Sequence, residues 1–225
     1  MIIPAAGSGS RFGGPIPKQY RPLRGKPIVA HAVDRFLSDS TVSRLILAVA
    51  PKFRDHVEDL VRVSAWNRVT IVAGGETRFD SVRNALEGIR EDDDVLVAVH
   101  DAVRPFFTLA SFHHLLDLAQ RSGGAIPVVP VSDTIHRVRD GLLFETPDRH
   151  DLVAAQTPQC FRLEVLRHAM AAAADAGYRA TDEAGAVRRS GGEVRIVEGD
   201  SANIKITRDE DLLIAESNYD RWSIS

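Results

Sequence analysis

The stretch Val95-Leu96-Val97-Ala98-Val99-His100-Asp101 decides the fold class, because five consecutive apolar residues end at two polar ones. A short apolar run that is rich in Val is typical of a strand buried on both faces of a sheet. Similar short runs predict further strands at residues 1–4, 44–49, 68–72, 125–129 and 193–197. The sheet that they form is expected to lie inside the protein.

Segments with helical periodicity separate these runs. Their apolar residues recur every three or four positions, as on the buried face of an amphipathic helix. They predict helices at residues 28–37, 53–61, 82–89, 109–119 and 163–176, and a last helix from Thr207, where Glu210 has capping-box spacing. This alternation predicts an α/β fold with a mostly parallel twisted sheet flanked by helices, in which ligands bind beyond the carboxyl ends of the strands.

Residues 132–159 interrupt this alternation, since they carry no helical stripe. The pair Asp140-Gly141 is a turn signal between two short segments, 134–138 and 142–144. We therefore expect a β-hairpin arm at about 132–159 that protrudes from the sheet. An excursion of this length in a compact domain is usually functional or interfacial.

Composition bounds the class of protein. The chain has 225 residues, 44% of them hydrophobic, which suffices for a single domain over residues 1–225. The net charge of -3 shows no basic excess, so no nucleic-acid partner is expected. Cys160 is the only cysteine, which fits a reducing cytoplasm. No apolar segment approaches the ~20 residues of a membrane span, and the N-terminus does not have the pattern of a signal peptide.

The loop after the first predicted strand, residues 4–18, is rich in small residues and contains Arg11 and Lys18. Small residues let backbone N–H groups approach phosphates, and the two cations can neutralise triphosphate oxygens. The loop matches neither a P-loop, since no Gly-Lys-Ser/Thr follows, nor a dinucleotide fingerprint, since Phe12 follows Gly7-Ser8-Gly9 where a further glycine is required. It predicts a phosphate-binding loop of another kind, although an ordinary strand-to-helix loop is the alternative.

Polar residues also follow other predicted strands. Gly74-Gly75 with Ser81 could admit a base or phosphate, or could simply turn the chain into a helix. Asp101 lies where a divalent ion bound to a triphosphate would need a carboxylate, and Arg104 could either pair with it or bind an anion. Lys205 lies between two isoleucines and is either a site cation or a solvated lysine at a sheet edge.

Taken in order, these motifs closely resemble the 2-C-methyl-D-erythritol 4-phosphate cytidylyltransferases of the non-mevalonate isoprenoid pathway. The resemblance covers nearly the whole chain, and its specificity comes from the ordered set, because each motif alone is weak. The matching residues are Pro4-Ala5-Ala6-Gly7 with Gly9 and Arg11, Pro17-Lys18-Gln19-Tyr20, Gly74-Gly75 with Arg78 and Ser81-Val82, His100-Asp101 with Arg104-Pro105, Asp133-Thr134, Asp148-Arg149, Gln156-Thr157-Pro158-Gln159, Thr181-Asp182-Glu183-Ala184 and Asn203-Ile204-Lys205.

The resemblance implies a nucleotidyltransferase fold, a homodimer built through the arm, and a Mg²⁺-dependent attack of the acceptor phosphate on the α-phosphorus of CTP. By position, it implies that CTP is bound by Ala5, Ala6, Gly7, Gly9, Gly75 and Ser81, and that Arg11 and Lys18 are catalytic. It implies that the sugar-alcohol phosphate is bound by Asp101, Arg104, Thr134, Arg149, Thr157, Thr181 and Lys205, with Asp101 also at the metal.

Two other functions are weighed against this one. A ribitol-5-phosphate cytidylyltransferase has the same chemistry, but that family tends to carry Ala-Gly-Gly where this chain has Ala5-Ala6-Gly7. A nucleotide-binding regulatory protein need not keep residues for both reacting halves. The chain departs from the usual family pattern at Phe12, Val103 and Gly185, which stand in place of Met, Ala and Ser.

Overall fold

The computed structural model describes residues 1–7, 16–91 and 95–222. Strands and helices alternate along much of this part of the chain, as the sequence predicts. The elements are β1 Ile2–Ala5, β2 Pro22–Leu23, β3 Lys26–Pro27, α1 Ile28–Leu37, β4 Leu45–Val49, α2 Arg54–Val63, β5 Val69–Ala73, α3 Arg78–Glu87, β6 Leu96–Val99, α4 Leu109–Ser122, β7 Gly124–Pro130, β8 Arg137–Arg139, β9 Leu142–Glu145, β10 Val153–Ala155, β11 Gln159–Arg162, α5 Leu163–Asp175, α6 Glu183–Arg189, β12 Arg195–Glu198 and α7 Asp209–Trp222, with short 3₁₀ turns at Lys18–Tyr20, Pro51–Phe53 and Arg149–Asp151.

One sheet of eight strands runs through the described part of the protein. Strand β1 lies between β4 and β6 and is parallel to both, and β5 continues the parallel set beyond β4. On the other side, β11 pairs antiparallel with both β6 and β7, and β12 pairs parallel with β7. The expected α/β fold with a mostly parallel sheet is therefore confirmed.

Helices cover both faces of the sheet, which explains the continuous apolar runs. Alternate residues of a strand point to opposite faces. Accordingly, Ile3 and Leu47 are buried in one core cluster with α1 and α4, whereas Ile2 and Ile46 are buried in another with α3 and α5. Burying such a side chain stabilises the fold by about 1.5–3 kcal/mol.

The predicted arm is only partly correct. The hairpin of β8 and β9 stands apart as a separate two-stranded sheet, with Asp140 and Gly141 at its turn in the left-handed region. The chain then rejoins the central sheet earlier than expected. Strand β10 pairs with Val128–Pro130 of β7, and Gln159 already belongs to β11. The sequence conceals this return, because both strands are short and separated by polar residues.

Strands β10 and β11 follow one another along the same edge of β7. Ala155 pairs with Val128 and Cys160 pairs with Ala125, while β12 pairs with the same two residues from the opposite edge. A strand residue has only two neighbours within a sheet, one on each side. The return limb of the arm is therefore fixed to the core before it reaches the central cleft.

Two further details differ from the predictions. Helix α6 was not predicted, because it is short and lies close to the end of α5. The cap of the last helix is provided by Asp211 instead of Glu210: its Oδ2 accepts from the N–H groups of Thr207 and Arg208, at 2.7 and 2.9 Å. Within the described ranges, no helix combines the length and apolar character that crossing a membrane would require.

Candidate active site

A cleft opens at the carboxyl edge of the parallel strands. Its walls come from residues at and after the ends of β1, β5 and β6, joined by two residues from the 3₁₀ turn Lys18–Tyr20 and two from the segment before α7. The residues used below are Ala5, Ala6, Gly7, Lys18, Gly75, Arg78, Ser81, Asp101 and Lys205. Most of the residues expected to bind the nucleotide therefore lie around a single cleft. Gly9 and Arg11 lie outside the described residues.

The side chain of Gln19 secures the first wall. Its Nε2 donates to the carbonyls of Ala5 and Gly7, at 2.7 and 3.0 Å, and the hydroxyl of Tyr20 also donates to Ala5, at 3.2 Å. Gln19 is buried, so these bonds are protected from competing water. The turn that carries Lys18 is therefore tied to the end of β1. Gln19 stands in one of the motifs quoted from the sequence, but no role was predicted for it.

The second wall is the turn between β5 and α3. Ser81 Oγ donates to the carbonyl of Thr77 at 2.9 Å and accepts from the N–H of Gly75 at 3.1 Å. Thr77 and Asp80 form a capping box at the start of α3. One of the two predictions for this motif, that it turns the chain into a helix, therefore holds. Ser81 shapes the backbone at Gly75, at the edge of the cleft.

The glycines of this turn are required by close packing. A Cβ atom on Gly74 would lie 2.2 Å from the Cβ of Ala6, and one on Gly75 would lie 2.2 Å from the Cβ of Asp80. Neither space could accept a methyl group without moving the backbone. The contact at Gly74 holds the loops after β1 and β5 together, although they are far apart in sequence.

The carboxylate of Asp101 lies at the centre of the site and contacts three cations. Its Oδ1 accepts from Nε of Arg78 at 3.0 Å, and its Oδ2 lies 2.9 Å from Nζ of Lys205 and 3.4 Å from Nε of Arg104. Burial alone would raise the pKa of Asp101, but the charges of Arg78, Lys205 and Arg104 outweigh it and hold that pKa well below its usual range. Asp101 is therefore ionised at any working pH. We call these four residues the Asp101 cluster.

The pairing of Asp101 with Arg104, one of the alternatives from the sequence, is confirmed, and Lys205, although its side chain is 40% exposed, lines the cleft and contacts Asp101. Arg104 is buried, and its Nη1 also donates to the carbonyl of Asn203 at 2.7 Å. Burial lowers the pKa of Arg104, and the neighbouring Asp101 offsets part of that effect. The segment 203–205 thus contacts both residues: the carbonyl of Asn203 accepts from Arg104, and the side chain of Lys205 pairs with Asp101.

Glu183 completes the charge balance and was not assigned a role from the sequence. Its carboxylate is buried and accepts from Nη1 and Nη2 of Arg78, at 2.7 and 3.0 Å. Although burial would lower the pKa of Arg78, Glu183 and Asp101 raise it further than burial lowers it. Arg78 therefore joins α3, on the nucleotide side, to the start of α6.

A second layer lies beneath the Asp101 cluster. His100 Nε2 is 2.8 Å from the carbonyl of Arg104, and Nδ1 is 3.0 Å from the hydroxyl of Thr157. Thr157 Oγ1 accepts from the N–H of Asp101 at 3.1 Å. Burial lowers the pKa of His100 to about 4, so its ring is neutral at neutral pH. Thr157, expected at the acceptor substrate, is buried below Asp101 and is not among the residues that line the cleft.

The other residues expected at the acceptor lie away from this cleft. Thr134 and Arg149 are exposed on the arm, where Nη1 of Arg149 donates to the carbonyl of Ser132 at 2.8 Å. Thr181 is exposed just before Asp182, the N-cap of α6. Within one chain, the structure thus brings together Asp101, Arg104 and Lys205 but not these three residues.

The expected metal is not matched by a set of protein ligands. In the described ranges, no group of three or more His, Cys, Asp or Glu side chains is arranged to hold an ion. Both carboxylate oxygens of Asp101 already contact cations, so a divalent ion bound there would lie beside three positive side chains. The metal role of Asp101 stays a prediction, and these contacts count against it.

Positive groups thus surround a cleft whose walls approach closely through small residues. Such a site can bring two anions together and stabilise the charge of a transferring phosphoryl group by position alone. Lys18 and Lys205 both line it, on different walls. The geometry therefore favours nucleotidyl or phosphoryl transfer between two anionic substrates.

Comparison with known proteins agrees with this chemistry. The sequence profile of the family described as IspD, 2-C-methyl-D-erythritol 4-phosphate cytidylyltransferase, matches residues 1–221. A protein of that name from Bacillus cytotoxicus is 41% identical over 218 residues, which is 96% of each chain. The crystal structure of the Francisella tularensis 2-C-methyl-D-erythritol 4-phosphate cytidylyltransferase is similar with a TM-score of 0.81 at 32% identity, covering 99% of this chain and 97% of that one.

Proposed function

The chain belongs to the 2-C-methyl-D-erythritol 4-phosphate cytidylyltransferase family. We propose how its central cleft carries out the reaction of that family. It transfers CMP from CTP to 2-C-methyl-D-erythritol 4-phosphate, giving 4-diphosphocytidyl-2-C-methyl-D-erythritol and pyrophosphate. An oxygen of the acceptor phosphate forms a bond to the α-phosphorus of CTP. The bond from that phosphorus to the β-phosphate oxygen breaks, and pyrophosphate leaves.

One observation supports the assignment of roles: Asp101, Arg78 and Lys205 share one cleft with the loops at Ala5–Gly7 and Gly75, and Arg104 lies buried behind Asp101. The attacking group is already an anionic oxygen, so a strong general base is not required. The work of the site is to hold two anions close and to stabilise charge in the transition state. Lys18, together with Arg11, takes that charge-stabilising role in our proposal.

The nucleotide occupies the side of the cleft formed by the ends of β1 and β5. The carbonyl of Ala5 already accepts from Gln19 and Tyr20, so we assign recognition of the base to the backbone carbonyls of Ala6 and Gly75. Gly7 and Gly9 admit the phosphates. Ser81 supports the nucleotide site indirectly, because its hydroxyl accepts a hydrogen bond from the N–H of Gly75 and so holds the backbone there.

The acceptor lies on the opposite side, against Arg104 and Lys205. Both contact Oδ2 of Asp101, which neutralises part of their charge and holds the two cations close to one another. The two cations can then pair with the acceptor phosphate. Thr181, at the start of α6, supplies a hydroxyl to the polyol in this proposal.

Mg²⁺ enters the proposal as the ion that a triphosphate brings with it. The protein residues described do not fit an ion of their own, because Asp101 is held by three cations. We therefore derive no step through the metal. The contributions argued above all come from protein side chains and backbone.

The arm is proposed as the contact between two copies of the chain, in the cytoplasm. Its apolar side chains are unusually exposed: Leu142 by 73%, Leu143 by 69% and Phe144 by 56%. A concentrated apolar surface of this kind marks an interaction site. Arg149 and Thr134, which do not reach the cleft of their own chain, would then enter that of the partner subunit.

The test is an assay of pyrophosphate release with each of the four nucleoside triphosphates against methylerythritol phosphate and ribitol phosphate. Release only with CTP and methylerythritol phosphate is the expected result. Faster turnover of ribitol phosphate would instead show that the chain is a ribitol-5-phosphate cytidylyltransferase. Binding of CTP without release with either acceptor would indicate the regulatory alternative.

A further inference from the structure

His100 is completely buried directly before Asp101, and substrate cannot touch it. The carbonyl of Arg104 can only accept a hydrogen bond, so Nε2 of His100 carries the proton and donates to it. The ring is neutral, and its Nδ1 therefore accepts from the hydroxyl of Thr157. The imidazole has a single tautomer with both nitrogens engaged.

These bonds hold both ends of one turn. The turn runs from Asp101 to Arg104 and is closed by the N–H of Arg104 donating to the carbonyl of Asp101 at 3.1 Å. His100 holds the Arg104 end directly and the Asp101 end through Thr157. The turn carries two members of the Asp101 cluster, so a shift of the turn would move a carboxylate and a guanidinium together.

The space around the ring alone does not require histidine. The ring meets Phe36 edge-on with centroids 5.1 Å apart, and Phe107 at 4.6 Å. A phenylalanine would suit such surroundings by shape and polarity. A phenylalanine ring, however, has neither the N–H donor nor the nitrogen acceptor of histidine. Here the donor meets the carbonyl of Arg104 and the acceptor meets the hydroxyl of Thr157.

We infer that His100 is a positioning residue, which acts with Thr157 to set the place of the Asp101–Arg104 turn against the acceptor substrate. The inference rests on the proposed function, because it takes Arg104 as a contact of the acceptor. It gives Thr157 a role beneath the turn, transmitted through the N–H of Asp101. The nucleotide side has supports of its own: Ser81 and the capping box of Thr77 hold its backbone, and Arg78, which contacts Asp101, is also held by both oxygens of Glu183.

The experiment compares His100→Phe, Thr157→Val and the double variant by steady-state kinetics. His100→Phe keeps an aromatic ring but loses both bonds, and Thr157→Val keeps the shape of the side chain but loses the hydroxyl. We expect each to raise KM for methylerythritol phosphate about 10-fold or more and to leave KM for CTP within about 3-fold. Because both residues serve one turn, the double variant should be no worse than the poorer single one.

Phe112→Leu is the matched control. Phe112 packs on the same Phe36 ring at 5.2 Å but belongs to neither the cleft nor the turn. It should lower stability without separating the two KM values. Equal changes for CTP and acceptor in His100→Phe, or additive effects in the double variant, would overturn the inference.

A readout that does not depend on turnover is hydrogen exchange of the peptide that contains residues 100–104. Its protection should fall in His100→Phe and Thr157→Val and stay unchanged in Phe112→Leu. Unchanged protection in Thr157→Val, the least disruptive variant, would also overturn the inference. A wild-type enzyme that releases no pyrophosphate would instead refute the proposed function, while the exchange result would still decide whether His100 holds the turn.

Discussion

Arg78 donates to both carboxylate oxygens of Glu183, at 2.7 and 3.0 Å, although the two residues lie 105 positions apart. Paired donation of this kind fixes the plane of the guanidinium as well as its position. The third donor, Nε, is thereby directed at Asp101. The orientation of the central carboxylate of the site thus depends on a residue that starts a distant helix.

The first prediction is that Glu183→Gln destabilises the protein by up to about 3 kcal/mol and lowers turnover. Removing one partner of a buried pair leaves the other charge poorly compensated. The loss of stability is limited because Arg78 retains its ion pair with Asp101. Urea unfolding and pyrophosphate release measure the two effects. Glu216→Gln is the control: Glu216 forms an exposed pair with Arg24, and its loss should cost about 0.5 kcal/mol or less.

The second prediction is that CTP is used at least about 100-fold better than UTP, judged by kcat/KM. The exocyclic amine of cytosine is a donor, and in our proposal the backbone carbonyls of Ala6 and Gly75, which line the cleft, accept from it. With UTP, a buried acceptor would face another acceptor and stay unpaired, which is costly. Comparable kcat/KM values for both nucleotides would contradict this assignment of the base site.

The third prediction separates the two lysines of the cleft. Lys18→Ala should lower kcat by roughly 10²–10³, the range for losing one pre-organised group that stabilises the transition state. Lys205→Ala should act mainly on KM for the acceptor, because its partner group does not change during the reaction. Lys52→Ala is the control, since Lys52 lies over the ring of Phe53 on the short 3₁₀ turn after β4. A Lys18→Ala enzyme with kcat within a few-fold of wild type would rule out the catalytic role of that lysine.

The fourth prediction concerns the packing of the two loops. Gly74→Ala should lower kcat/KM for CTP and cost about 1–3 kcal/mol of stability, because the new methyl would meet Ala6. Gly88→Ala is a suitable comparison, since a Cβ atom there would lie 3.3 Å from the nearest atom, the carbonyl oxygen of Ala85. If both variants bound CTP equally, the close approach at Gly74 would have no functional meaning.

The fifth prediction concerns the arm. If Arg149 serves the partner's cleft, Lys18→Ala and Arg149→Ala should complement each other in mixed dimers. With random exchange about half of the dimers are mixed and one of their two sites is intact, so roughly a quarter of wild-type activity should return.

The control mixture for this experiment combines Lys18→Ala with Arg78→Ala, two residues of the same cleft, and should restore nothing. Exchange of subunits is verified by co-purifying two tags. If the mixture of Lys18→Ala with Arg149→Ala stays inactive despite proven exchange, Arg149 does not serve the cleft of the partner subunit.

The sequence was sufficient for features that depend on local patterns. The apolar runs at 95–99 and 44–49 lie in buried strands because each is long enough to be recognised without knowing its partner. Ala6, Gly75 and Asp101 could be placed at one cleft, because parallel strands bring their carboxyl ends to the same edge. The order of motifs supplied the family.

The remainder depends on contacts between distant residues, which no local pattern encodes. Glu183 and His100 each stand in a recognised motif, yet their roles follow only from partners up to 105 positions away. Strand β10 was missed because three residues cannot establish a period. Asp211 and Glu210 are both acceptable caps by composition, and only the direction of the chain before α7 chooses between them.

The two fixed limbs of the arm make it a module that evolution or an engineer can exchange. Pro130 and Val153 are paired neighbours, so the excursion begins and ends at adjacent points of one sheet. A hairpin of another length or surface can be inserted between them while Ala155 and Thr157 keep their register. If the arm is the contact between subunits that we propose, such an exchange would change the assembly partner while the residues that line the cleft stay in place.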